Sequence, residues 1–128
     1  EITLEAARAC NRLQEAGIPV SNQSVLLKGV NDSPEVMKHL LHNLQKISVR
    51  PYYLFHCDSA RGCAHFRTDP RAGVAMMGKL WQQSSGLCLP QYVLDAPGSA
   101  GKIPLNVMSA SIKNDLKKHQ IFLTSCNK

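Results

Sequence analysis

The chain has 128 residues, 44% of them hydrophobic and 19% charged, which is the composition of a globular protein about one domain long. Its longest apolar runs, such as Val25–Leu27, fall far short of the roughly 20 residues that cross a bilayer, so we expect no membrane association. The formal net charge is +6, but the basic residues are scattered and aromatic residues make up only 5%, so we expect no nucleic-acid partner.

The first half of the chain predicts helix, strand and helix. Thr3 can cap a helix whose apolar residues recur every three or four positions until Gly17 ends it. Residues 18–27 are typical of a strand. A second helix is predicted from Ser33-Pro34, a capping side chain followed by a proline suited to the first helical turn.

The second half predicts strand, helix and strand. Residues 48–56 carry the β-branched and aromatic side chains of a strand, and a polar loop over residues 57–68 follows. Asp69-Pro70 begins a third helix, in which we expect Trp81 to face the core. Residues 87–94 predict the third strand.

This alternation predicts an α/β fold with parallel strands joined by right-handed crossovers. Parallel strands are usually covered on both faces, so we expect helices on both sides, and three strands alone cannot close a barrel. Chemistry in such folds collects in the loops beyond the carboxyl ends of the strands. Here those loops are residues 28–31, 58–67 and 95–102.

Lys102 stands out in the third of these loops because small residues surround it. The segment does not match a phosphate-binding loop, since Ala96 replaces a required glycine, Ile103 a required hydroxyl, and Pro104 opposes the helix that should follow. A lysine becomes a nucleophile when burial or a neighbouring cation lowers its pKa. The alternative interpretation is an ordinary solvated loop lysine.

Asp58 and Asp95 each follow a predicted strand by a few residues, so they could converge on one cleft. Paired carboxylates suit the binding of an ammonium group, acid–base catalysis or metal coordination, but short acidic residues also form turns and caps. Gln23 is a polar residue within a strand-like run, and it either contacts a ligand or forms a structural hydrogen bond.

The five cysteines form no Cys-x-x-Cys pair and are odd in number, which predicts a reducing, cytoplasmic setting rather than a disulfide framework. Cys57 and Cys63 with a nearby histidine do not reach the four ligands of structural zinc, so we predict no metal site.

Taken together, these motifs resemble the lysine 2,3-aminomutase family of radical S-adenosylmethionine enzymes that also use pyridoxal phosphate. The resemblance covers residues 1 to about 105 in collinear order, whereas residues 106–128 form an extension without a visible match. The segments that carry it are residues 17–19, 22–32, 50–53, 65–68 and 95–97, with Gly101-Lys102.

The resemblance implies a role for each candidate residue. Lys102 would hold pyridoxal phosphate, Asp58 and Asp95 would grip the side-chain ammonium of a lysine substrate, and Gln23 would lie at the S-adenosylmethionine site. By family chemistry, a reduced [4Fe-4S] cluster cleaves adenosylmethionine, and the resulting radical starts the conversion of L-lysine to β-lysine.

The sequence departs from the family in lacking the Cys-x-x-x-Cys-x-x-Cys motif that holds the cluster. We therefore expect the chain to be the carboxyl-terminal half of a partial (β/α) barrel of the TIM type, inactive alone, and completed by an amino-terminal half or by homo-oligomer formation. One alternative is the related aminomutase that supplies β-lysine for modifying elongation factor P, although Asp95 argues against it. Another is a non-catalytic basic binding module, because the exposed edge of an unfinished barrel would seek a partner.

Overall fold

The computed structural model of the protein describes residues 2–96 and 101–105. The predicted extension over residues 106–128 lies outside this part of the chain. Helix α1 spans Leu4–Glu15, α2 spans Pro34–Lys46 and α3 spans Pro70–Gln83. The strands are β1 (Ser21–Leu26), β2 (Arg50–His56), β3 (Gln91–Ala96) and β4 (Gly101–Pro104). Short 3₁₀ turns cover Ala64–Phe66 and Gly86–Cys88.

All three predicted helix starts are confirmed, because each depends on a local capping interaction. The side chain of Thr3 accepts from the Ala6 amide, and that of Ser33 accepts from the Val36 amide. Asp69 accepts from the Arg71 amide in the same way. These bonds satisfy amides of the first turn that have no partner within the helix.

The strands form one open sheet in the order β1-β2-β3-β4. The first three strands are parallel, as predicted, and β4 runs antiparallel to β3. The α/β class is thus confirmed, while a barrel is not formed by the described residues. Strand β4 corrects the sequence prediction, which placed Gly101 and Lys102 in a loop.

The hydrophobic core lies between α2, α3 and one face of the sheet. The sheet contributes Leu26, Leu54 and Tyr92 to this core. The two helices contribute Met37, Leu41, Met76, Met77 and Leu80. Among the described residues, the core therefore covers one face of the sheet with helices, which differs from the expected covering of both faces.

Two further expectations about the third helix and third strand were wrong. The Trp81 side chain is 55% exposed, because Met76, Met77 and Leu80 already supply the buried face of α3. Strand β3 begins at Gln91 and not at residue 87 as predicted, because the preceding residues form a 3₁₀ turn capped by Ser85.

Candidate functional site

Three of the four predicted site residues share the sheet face that lies opposite the helical core. Gln23 pairs with Tyr53 in the register of β1 and β2, and Asp95 pairs with Lys102 in the register of β3 and β4. Directly paired residues point to the same side of a sheet, and side chains alternate along each strand. Tyr53, Phe55 and Val93 therefore accompany Gln23, Asp95 and Lys102 on this face.

The side chain of Lys102 lies over two aromatic rings of β2, those of Tyr53 and Phe55, which are called the aromatic floor below. Its Nζ atom lies 5.9 Å from the centroid of the Tyr53 ring and 5.7 Å from that of Phe55. The two rings lie 5.6 Å apart, and Lys102 is exposed. An ammonium at this distance is attracted to the ring faces. The amine is therefore held above two flat rings and open to a ligand.

Tyr52 extends this aromatic group at the start of the same strand. The centroids of the Tyr52 and Tyr53 rings are 4.1 Å apart. Interaction with the Tyr52 side chain, followed by partial burial, raises the pKa of Tyr53. The Tyr53 hydroxyl thus stays protonated at neutral pH and can donate a hydrogen bond.

Asp58 lies two residues beyond the end of β2, in the loop that connects this strand to α3. Its side chain is exposed, and its backbone carbonyl accepts a bond from the Cys57 thiol at 3.7 Å. Asp95 is the second-last residue of β3, which runs parallel to β2. The two carboxylates thus occupy the same carboxyl edge of adjacent strands.

The loop after β1, which was also expected to carry chemistry, has polar side chains that stabilise its own turn. The Asn31 side chain accepts from the Leu27 amide at 2.8 Å and donates to the Val25 carbonyl at 2.9 Å. Asp32 accepts from the amide of Gly29, whose φ of +72° is easily adopted only by glycine. These bonds close the turn, which is the ordinary role of short polar residues.

Sequence reasoning missed the aromatic floor under Lys102. Its signal was present, because Tyr53 and Phe55 alternate in a strand and must share a face. The sequence did not show that Lys102 pairs with Asp95 and so lies on the same face as these rings. Only the antiparallel strand β4 reveals this pairing.

The residues that the structure describes contain no helix long and apolar enough to span a membrane. Within the same residues, no three His, Cys, Asp or Glu side chains come together as metal ligands. Cys10, Cys57, Cys63 and Cys88 are free thiols.

Comparison with known proteins gives a consistent set of relatives. No model of a protein family matches the chain. L-lysine 2,3-aminomutase of Clostridium subterminale is 51% identical over 105 residues, which are 82% of this chain and 25% of that protein. The enzyme of the same name from Bacillus subtilis is 48% identical over 105 residues, 82% of this chain and 22% of that protein. Glutamate 2,3-aminomutase of Clostridioides difficile is 43% identical over 105 residues, again 82% of this chain and 25% of that protein. The chain thus spans about a quarter of the length of the curated relatives it matches.

Proposed function

Because this chain belongs to the lysine 2,3-aminomutase family, we propose that it supplies the cofactor-binding lysine and part of the substrate site of an L-lysine 2,3-aminomutase. Such an enzyme is an isomerase that moves an amino group from one carbon to another within its substrate and so interconverts L-lysine and β-lysine. The observation that carries the proposal is the position of Lys102, which shares one sheet face with Gln23 and Asp95 above an aromatic floor.

The surroundings of Lys102 fit pyridoxal phosphate. The amine is accessible, and the rings of Tyr53 and Phe55 offer flat apolar surfaces beside it. Pyridoxal phosphate, when bound, supplies an electron sink for chemistry at the carbons of an amino acid. For covalent attachment, the Lys102 amine must first lose its proton, because only the neutral amine is a nucleophile.

Asp58 and Asp95 give the proposed substrate site its charge preference. Two carboxylates at one edge of the sheet attract the side-chain ammonium of lysine, whereas a substrate with an acidic side chain would meet repulsion. This agrees with the 51% identity to the lysine enzyme of Clostridium subterminale, against 43% to the glutamate enzyme of Clostridioides difficile. In the proposal, Gln23 contributes a polar side chain to the S-adenosylmethionine site.

The described residues do not fit an iron–sulfur cluster. The sequence has no closely spaced cysteine triplet, and its thiols are dispersed over several elements. Radical chemistry by S-adenosylmethionine therefore requires ligands from another segment of a longer chain or from a partner subunit.

A partial barrel of the (β/α) type is part of the same proposal. Its interior would correspond to the sheet face that carries Gln23, Tyr53 and Lys102, opposite the helical core. The free thiols of the described residues suit a reducing, cytoplasmic setting. Two alternatives are not better supported than this proposal. One is the aminomutase that supplies β-lysine for modifying elongation factor P, and the other is a non-catalytic basic binding module.

Covalent labelling of the chain tests the assignment of Lys102. We would incubate the chain with pyridoxal phosphate, reduce with borohydride, and locate the added mass by peptide mass spectrometry. Labelling should concentrate at Lys102 and disappear in Lys102→Arg, which keeps the charge above the rings but removes the nucleophile. Lys28→Arg is the matched control, because this lysine also lies in a loop after a strand. Equal labelling at Lys28 and Lys102 would contradict the proposal.

A further inference from the structure

A buried histidine ends β2, immediately before the loop that carries Asp58. His56 is 1% exposed, and its Nδ1 atom lies 2.9 Å from the hydroxyl oxygen of Tyr92 on β3. Tyr92 itself is fully buried. Neither residue has a place in the proposed chemistry, because both point to the helical side of the sheet.

The contact between His56 and Tyr92 is tightly fitted. Gly73 of α3 lies against the phenol, and a Cβ atom built on this glycine would overlap the hydroxyl and come within 2.6 Å of Cε1. Glycine therefore lets the Tyr92 ring reach His56. The bond joins the last residue of β2 to β3, and the phenol also packs against Gly73 in α3, the helix that follows the loop of residues 57–69.

The loop contributes buried polar groups of its own. Buried atoms without a hydrogen-bond partner among the described residues are His56 Nε2, Arg67 Nε and Thr68 Oγ1. Within the loop the Cys63 amide donates to the Ala60 carbonyl, and the Phe66 carbonyl accepts at 2.8 Å from the amide of Lys28, in the turn after β1. The loop is therefore fixed at its start by the bond of His56 and near its end by the bond to Lys28.

We propose that His56 and Tyr92 are positioning residues whose bond holds the loop of residues 57–69, and with it Asp58, and that protonation of His56 releases this loop. The inference rests on the proposed function only where Asp58 is assigned to the substrate. Protonation occupies the Nδ1 lone pair that accepts from the phenol, and it places a charge inside the protein near Arg67.

Burial and the charges around His56 together determine the direction of its response to pH. Burial, and then the Arg67 cation, lower the pKa of His56, while Asp58 and Asp69 partly oppose them. Burial raises the pKa of Tyr92, so its phenol remains a donor. The pKa of His56 in the folded protein lies below its unfolded value of about 6.5. The contribution of neutral His56 to folding stability is therefore complete above about pH 6.5, and it is lost as the pH falls through the folded-state pKa.

Amide hydrogen exchange of the full chain, followed by mass spectrometry from about pH 4.5 to about pH 7.5, tests the inference in the range where histidines titrate. After correction for intrinsic exchange rates, the loop should lose protection at the acid end. At neutral pH, Tyr92→Phe should speed its exchange about fivefold, the loss expected for one net hydrogen bond. His56→Gln keeps a neutral acceptor, so in this variant the loop should stay protected at neutral pH and should no longer lose protection at the acid end, which is the acid step.

His39→Gln is the matched control, because this histidine is exposed on α2 and its variant should keep the acid step. A step that persists in His56→Gln would overturn the inference, as would unchanged loop exchange in a folded Tyr92→Phe. Neither measurement needs a cofactor, so a failure here is distinct from failed labelling of Lys102.

Discussion

Replacing Gly73 by alanine tests the packing of α3 against Tyr92 most directly. In an exposed helix interior this change stabilises by about 1 kcal/mol, because alanine loses less backbone entropy than glycine. At Gly73 the new methyl group would overlap a fully buried ring. Overpacking of this kind costs about 1–3 kcal/mol, and displacing the phenol from His56 would add about 1–3 kcal/mol for polar groups left without partners.

The balance for Gly73→Ala is a net loss of about 3 kcal/mol, since both costs outweigh the gain in helix propensity. Gly78→Ala is the matched control, because it lies on the same helix and a Cβ atom added there would have nothing within 4 Å. It should raise the free energy of unfolding by up to about 1 kcal/mol. Urea unfolding followed by circular dichroism measures both variants. If Gly73→Ala were as stable as Gly78→Ala, the Tyr92 ring would not pack against α3 as described.

Two further predictions concern activity and the second helix. The chain alone should form no β-lysine when supplied with iron, sulfide, pyridoxal phosphate, S-adenosylmethionine and L-lysine, because it lacks the cysteine triplet for a cluster; measurable turnover would refute its dependence on another segment. Ser33→Ala should lower the free energy of unfolding by about 1 kcal/mol, because it leaves the Val36 amide without its capping oxygen, and Ser33→Asp should retain most of the stability. Urea unfolding that showed no difference between these two Ser33 variants would contradict the capping role.

Local signals account for the parts of the fold that the sequence predicted well. A cap such as Ser33 followed by Pro34 acts within one helical turn, so the start of α2 does not depend on distant residues. Strand β4 depends instead on pairing with β3, and its residues Gly101–Pro104 carry little strand signal of their own. The exposure of Trp81 likewise depends on which side chains of α3 the sheet accepts.

The candidate site shows the same division between local and long-range information. Residue type and position after a strand were enough to select Asp58, Asp95 and Lys102. Their arrangement was not predictable, because it depends on the register of β3 and β4. The sequence also carried no sign that His56 bonds to Tyr92. The two residues are 36 positions apart, and their contact requires Gly73 on a third element.

The two faces of the sheet divide the work of the proposed site. The helical face carries buried contacts, including the bond between His56 and Tyr92, that hold the strand ends in place. The opposite face carries the exposed groups available to a ligand, with Lys102 above Tyr53 and Phe55. Because side chains alternate along a strand, His56 lies next to Phe55 in sequence but on the other face. A change at His56 should therefore affect the loop of Asp58 without touching the aromatic floor, so the proposed substrate and cofactor roles should respond separately to mutation.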